Sequence, residues 1–246
     1  MRNFRIVLQY EGTKYQGWQK QESTGNTIQG KLENILSRMV NSPTEIHGAG
    51  RTDAGVHAKG QVAHFKADTA MTENEILRYI NQYLPEDIAV VSVKEAGERF
   101  HARLNAVGKI YQYRIMNSEI PHVFDRRYVH EETVALDISK MQKAAETLIG
   151  THDFKAFTST KRGKKSSVRT IESITIDKIG DEIRMTYRGD GFLYHMVRIL
   201  SGTLIEVGRG ERSVESVSEA LSSLERETAG FLAPAKGLTL IEVLYH

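Results

Sequence analysis

Residues 47–65 read HGAGRTDAGVHAKGQVAHF. Gly48, Gly50, Gly55 and Gly60 fall within 13 positions, and Arg51, Thr52 and Asp53 stand between the second and third of them. Glycine tolerates positive φ and lets a ligand come close to the backbone, and functional side chains often stand on such loops. Two phosphate-binding patterns fail here. Gly50 and Gly55 have the Walker spacing, but Val56 and His57 follow where Lys and Ser or Thr belong. Counted from Gly48 and Gly50, the third glycine of a dinucleotide fingerprint falls on Asp53, whose charge repels a pyrophosphate. His47, His57 and His64, with Asp53, match no familiar metal-ligand spacing, and no HExxH helix exists. A glycosidase needs two carboxylates, and the loop offers one. What remains is one carboxylate beside one guanidinium. A nearby arginine favours the charged form, which suits a nucleophile or a base. The plainer alternative is that Asp53 caps a turn while Arg51 pairs with an acid elsewhere.

The elements that must hold this loop are legible from periodicity. Residues 3–9 read as a strand, followed by a polar loop over 11–26 with the only tryptophan, Trp18. Ile28, Leu32, Ile35, Leu36 and Met39 recur at helical spacing from about Thr27. Residues 61–66 alternate as a strand. Thr72 and Glu75 form a capping box that opens a helix with Ile76, Leu77, Ile80, Tyr83 and Leu84 inward, stopped by Pro85. Residues 87–94 form a strand. The order then begins again: a strand over 109–116, a helix over 137–149, a hairpin of 171–179 with 181–188 around Gly180 and Asp181, a buried helix from Phe192 to Val207, a helix from near Ser213, and a closing strand over 238–244. Strands mixed with helices, and hairpins rather than strict βαβ alternation, argue for α+β layering on a largely antiparallel sheet. The halves meet near residues 100–108.

The 246 residues suffice for one large domain or two modest ones. Hydrophobic residues make up 40% and charged residues 26%, the ordinary globular balance. No apolar run reaches the length of a membrane span, and the N-terminus reads as a first strand rather than a signal peptide. Cysteine is absent, which excludes disulfides, thiolate nucleophiles and cysteine-ligated metals and fits a reducing cytoplasm. A net charge of only +2 argues against a protein that coats DNA, while a nucleic-acid ligand remains open if positive charge gathers on one face. Residues 161–169, KRGKKSSVR, carry five basic residues: a solvated loop, or one that contacts phosphates.

GAGRTDAGVHA resembles the signature loop of the tRNA pseudouridine synthase A family. YEGTKYQGWQ at 10–19 resembles the family's N-terminal motif, with Glu11 and Tyr15 in place of the commoner Asp and Phe. FHAR at 100–103 and KIYQYRI at 109–115 are similar to its middle motifs, GDGFLYHMVR at 189–198 to its late helix, and PAKGLTLIEVLY at 234–245 to its C-terminus. The similarity runs in order along nearly the whole chain.

The resemblance implies two similar α/β halves, residues 1–105 with the Asp loop and 106–246 with the Tyr strand and the Arg helix. Largely antiparallel strands would join in a central mixed sheet around an active-site cleft. It implies isomerisation of uridine to pseudouridine at nucleotides 38, 39 and 40 of the tRNA anticodon arm, by a homodimer without metal or cofactor. Asp53 matches the family's aspartate, as nucleophile at the ribose or base at its 2′ carbon. Tyr111 matches the active-site tyrosine, and Arg198 the basic residue that pairs with the aspartate. Tyr111 offers uracil an aromatic face, although Tyr111, Tyr113 and Ile115 share a strand face that would serve equally as core. Arg198 lies on an otherwise apolar helix, where a buried cation wants a carboxylate. Arg51 is then left for phosphate contact or base flipping. Trp18 and Tyr15 are expected to pack the first loop, and His101 and His195 divide between packing and RNA contact. The competing readings are a non-catalytic RNA-binding protein and a glycoside or nucleoside hydrolase. The first would not need Asp53, and the second wants another carboxylate.

Overall fold

A computed structural model describes residues 1–160 and 166–246. Residues 161–165, the greater part of the basic stretch singled out above, lie outside the described residues. The elements run β1 (Arg2–Tyr10), α1 (Ile28–Val40), β2 (Ile46–Gly48), β3 (His57–Ala67), α2 (Glu73–Tyr83), β4 (Ile88–Ala96), β5 (Gly108–Asn117) and β6 (His130–Glu132). They continue with α3 (Ile138–Glu146), β7 (Gly150–Asp153), β8 (Val168–Ile179), β9 (Glu182–Gly189), α4 (Met196–Arg209), α5 (Glu215–Ser223) and β10 (Leu238–Leu244). The chain is α+β and divides by its contacts into two compact units, Met1–Val107 with Thr239–His246, and Gly108–Leu238.

In the first unit the strand order is β4-β1-β3-β10, with β2 on β3. Phe4, Ile6 and Leu8 alternate along β1 and are fully buried, as period-two patterning on a pleated strand requires. β1 is antiparallel to both neighbours. β10 joins β3 in parallel, with Thr239 opposite His57 and Leu240 opposite Ala58. Thr27 caps α1 by accepting the Gly30 N–H, and the Thr72–Glu75 box of α2 forms both of its reciprocal bonds. Ile76 and Ile80 are buried as the periodicity predicts. Tyr83 is not: 42% of it is exposed. Its ring lies against Tyr79 and, at 4.9 Å, under the Arg38 guanidinium of α1. A cation over an aromatic face holds the ring at the surface, where the hydroxyl stays hydrated.

In the second unit the order is β5-β9-β8-β7, antiparallel throughout, with β6 parallel to β5. Gly180, at φ +61°, makes the turn between β8 and β9. Tyr111, Tyr113 and Ile115 share the buried face of β5. α4 buries Ile199, Leu200, Leu204, Ile205 and Val207. It begins at Met196, four residues later than the apolar pattern suggests. His195 takes a left-handed conformation, φ 64°, immediately before it, which no right-handed helix accommodates. Residues 192–195 therefore lie outside the helix, with a turn at Tyr194 and His195, and Phe192 is released for another contact.

Candidate active site

The glycine-rich loop between β2 and β3 is held by the loop that follows β1. The Trp18 N–H donates to the Thr52 carbonyl at 3.0 Å, and the Gly55 N–H donates to the Tyr15 carbonyl at 3.3 Å. Two glycines make this contact possible. A Cβ on Gly17, whose φ is +83°, would stand 2.6 Å from the Thr52 oxygen and 3.1 Å from the Asp53 carbonyl carbon. A Cβ on Gly48 would stand 2.5 Å from the Trp18 ring. Trp18 and Tyr15 are 2% and 4% exposed, so both pack as expected. The Tyr15 hydroxyl donates to the Asp87 carboxylate, which ties the loop to the start of β4.

Beneath the loop lies a buried polar chain. Gln61 Nε2 donates to the Gly50 carbonyl at 2.8 Å and lies 3.4 Å from the Tyr10 oxygen. The Tyr10 hydroxyl and Thr52 Oγ1 are 2.8 Å apart. Tyr10, Gln61 and Thr52 are all buried. Burial pushes the Tyr10 phenol up to about 12, against its bonds to Thr52 and Gln61. The ring is therefore neutral and able to donate at any physiological pH. These bonds bracket Arg51 and Asp53: Gly50 is fixed on one side and Thr52 between them. Arg51 is exposed and Asp53 half-buried. Sequence reasoning missed Tyr10, Thr52 and Gln61. Tyr10 continues the Phe4, Ile6, Leu8 alternation and reads as core. The register break between Leu8 and Tyr10 has no sequence mark, although such irregularities re-aim side chains.

The histidines near the loop serve its frame. The Gly12 N–H donates to His57 Nδ1 at 3.0 Å, and the Ala102 N–H to His64 Nδ1 at 3.1 Å. Each neutral ring therefore carries its proton on Nε2. His64, His47 and His101 form a triangle of rings, with His64 at 5.2 and 4.6 Å from the other two and those two 5.7 Å apart. His101 Nδ1 accepts the Arg103 and Leu104 N–H groups, which folds FHAR into a tight turn. Among the described residues no group of three or more His, Cys, Asp or Glu side chains is placed to hold a metal ion.

The second unit places the other candidates. Tyr111 is 7% exposed, and Phe192 meets it edge to face at 5.3 Å and 86°, a favoured aromatic geometry. The turn before α4 thus supports the tyrosine. Arg198, in the first turn of α4, is half-buried rather than enclosed. Its Nε donates to the Ala233 carbonyl at 2.8 Å, and the Ala233 N–H returns a bond to the Arg198 carbonyl at 3.2 Å. A backbone carbonyl is thus one anchor of this guanidinium. His195 stacks on Tyr194 with centroids 3.7 Å apart, and its Nδ1 lies 2.9 Å from Ser159 Oγ.

This is an α+β protein that presents a single carboxylate on a clamped, glycine-rich loop. A family described as tRNA pseudouridine synthase matches residues 6–105 and 144–246. A Bacillus sp. (strain KSM-64) protein named tRNA pseudouridine synthase A is 48% identical over 240 residues, covering 98% of each chain. The Brevibacillus brevis protein of that name is 44% identical over the full length of both chains. A Bacillus anthracis protein named tRNA pseudouridine synthase A 2 is 42% identical, covering 99% of each. A solved Cbf5–Nop10–Gar1 complex aligns with 96% of this chain and 48% of that chain, at 12% identity and a TM-score of 0.38, too distant to place the fold. The chain belongs to the tRNA pseudouridine synthase family.

The histidine cluster makes a pH prediction. Burial, and after it the charges of His101 and His47, push His64 down to about 4 from an ordinary 6.5. Between those values the unfolded chain binds a proton that the fold refuses, so stability is lost as pH falls through that window. The thermal midpoint is expected to drop between pH 7 and pH 5. The drop should shrink in His64→Asn, whose amide oxygen can still accept the Ala102 N–H. An unchanged pH slope in that variant would remove His64 as the source.

Proposed function

We propose that this protein isomerises uridine to pseudouridine at nucleotides 38, 39 and 40 of the tRNA anticodon arm, with Asp53 as the catalytic carboxylate. The observation that carries the reading is the family match over 6–105 and 144–246, with relatives similar along 98% or more of the chain and Asp53 on the loop that resembles the family's signature. The reaction breaks the bond from ribose C1′ to uracil N1, turns the base, and joins C1′ to C5. The C5 hydrogen leaves as a proton and N1 gains one, so the product is an isomer of the substrate. A carboxylate serves in either of two ways. As nucleophile it attacks C1′ and is displaced when C5 attacks in turn. As base it takes the 2′ hydrogen and later returns it. The pinned Thr52 on one side of Asp53 suits both, because either step needs the carboxylate about 3 Å from the sugar atom it attacks or deprotonates, with little freedom to stray.

The family's pattern supports roles for three more residues. Tyr111 offers its ring to the flipped uracil, a contact worth about 1–3 kcal/mol per base, and Phe192 behind it fixes the ring's plane. Arg198 supplies the cation that pairs with Asp53, its plane set by the Ala233 carbonyl. Arg51, exposed beside the clamped Thr52, contacts the RNA backbone or fills the place of the flipped base. Extrusion of a base costs a few kcal/mol, which such contacts offset. The basic residues of 161–169 grip phosphates. The cytoplasm as the site of action rests on the absence of cysteine and on the proposed substrate. The homodimer rests on the family resemblance, and a light-scattering mass near the 27.7 kDa of one chain would remove it. Among the described residues no helix is long and apolar enough to cross a membrane.

Two outcomes test this reading. Wild-type protein is expected to release tritium from tRNA labelled at uracil C5 without added metal or nucleotide, and Asp53→Asn to release none. Equal release by the variant would remove Asp53 from the chemistry, and no release by either would favour a binding protein. Replacing Lys161, Arg162, Lys164 and Lys165 with Ala is expected to weaken tRNA binding and flatten its dependence on salt, by roughly 0.7–0.9 in slope for each phosphate that is no longer neutralised. An unchanged slope would return the segment to solvent.

A further inference from the structure

Resting on the assignment of Asp53, we infer that Tyr10 is a positioning residue for the reaction: its buried hydroxyl, braced by Gln61, holds Thr52 and through it the Asp53 backbone in the reactive geometry. The chain of bonds has a direction. Gln61 Nε2 donates to the Gly50 carbonyl at 2.8 Å. That bond fixes the amide's orientation, because the reverse orientation would set two oxygens against each other. The same nitrogen approaches the Tyr10 oxygen at 3.4 Å, so the tyrosine's own proton is directed to Thr52 Oγ1 at 2.8 Å. Gly50 and Thr52 flank Arg51, and Thr52 is bonded covalently to Asp53. The buried pair Gln61 and Tyr10 therefore registers both sides of Arg51 and the near side of Asp53. The remaining face of Thr52 is fixed by the Trp18 N–H on its carbonyl at 3.0 Å, and the turn beyond by the Val56 N–H on the Asp53 carbonyl at 3.2 Å.

The cost of the arrangement argues for such a use. Gln61 is fully buried, and its Oε1 has no hydrogen-bond partner among the described protein atoms. A buried, unsatisfied amide oxygen lowers stability, and an apolar residue would fill the same volume without that loss. A polar side chain kept there at a loss points to the geometry it enforces above it. Tyr10 does not exchange protons in this role. It lies beneath the loop, wholly buried, with its hydroxyl directed at Thr52.

The test is Tyr10→Phe, which removes one oxygen and keeps the ring that packs 6.4 Å from Trp18. Single-turnover pseudouridine formation is expected to slow by about 10²-fold, the loss that follows a small misplacement of a reacting group. The dissociation constant for tRNA should stay within about twofold, and the pH–rate profile should keep its shape. Thr52→Val should behave alike, and the double variant should be no slower than either single one, because the two hydroxyls act as one unit. Tyr245→Phe is the control. It too deletes a tyrosine hydroxyl that donates to a partner, the Ala102 carbonyl at 2.6 Å, and should lose stability without losing rate. Tyr10→Phe at wild-type rate while Asp53→Asn is inactive would overturn this inference alone. Activity in Asp53→Asn would overturn the assignment beneath it. Equal slowing in Tyr245→Phe would show loss of a tyrosine hydroxyl to act through stability, and a changed pH profile in Tyr10→Phe would show proton transfer; either result overturns the positioning role.

Discussion

The constraint on which the site depends is the fixing of Thr52. Its carbonyl accepts the Trp18 N–H, and its hydroxyl meets Tyr10. Gly17 packs so closely on its oxygen that no side chain fits between. A carboxylate on a free loop would sample many positions, each ordered only at the cost of about 1–2 kcal/mol per residue in backbone entropy. Here that cost is met during folding, by contacts from β1, β3 and the loop of residues 11–26. Asp53 is consequently carried by backbone that has little entropy left to lose.

The same economy of means recurs in the second unit. Arg198 exchanges two bonds with Ala233, one of which, from Nε, helps to set the guanidinium's direction. Tyr111 is steadied by the edge of Phe192. In both units neutral groups help to orient the residues assigned to chemistry: backbone carbonyls and amides, a phenol and a phenyl ring. Preorganised dipoles of this kind act without having to reorganise when the reaction occurs. The chain's net charge is only +2, so any attraction to RNA depends on where the cations stand.

Much of this was legible in the sequence because local rules sufficed. The capping box at Thr72 and Glu75 announced α2, Gly180 announced the β8–β9 turn, and the apolar run at 238–244 announced β10 from end to end. Asp53 stood out because its glycine context fits no phosphate loop. What was hidden depended on distant residues. β10 pairs with β3 although the two lie far apart along the chain, and no local pattern encodes that. β2, β6 and β7 are three or four residues long, too short for a period to show. Tyr10 drew no notice beyond its place at the head of the 10–19 motif, because its bonds to Thr52 and Gln61 join residues 42 and 51 positions away. Phe192 looked like the first turn of α4 because apolar spacing is blind to the left-handed His195 that follows.

The central claim is geometric: the loop fixes where the carboxylate stands, and the reaction depends on that position. Asp53→Glu keeps the charge and moves it by one methylene. In single-turnover assays on a tRNA with uridine at 38, 39 or 40, the predicted rate is at least about 10²-fold below wild type, with tRNA affinity preserved. A glutamate variant that forms pseudouridine within a few-fold of the wild-type rate would contradict that claim.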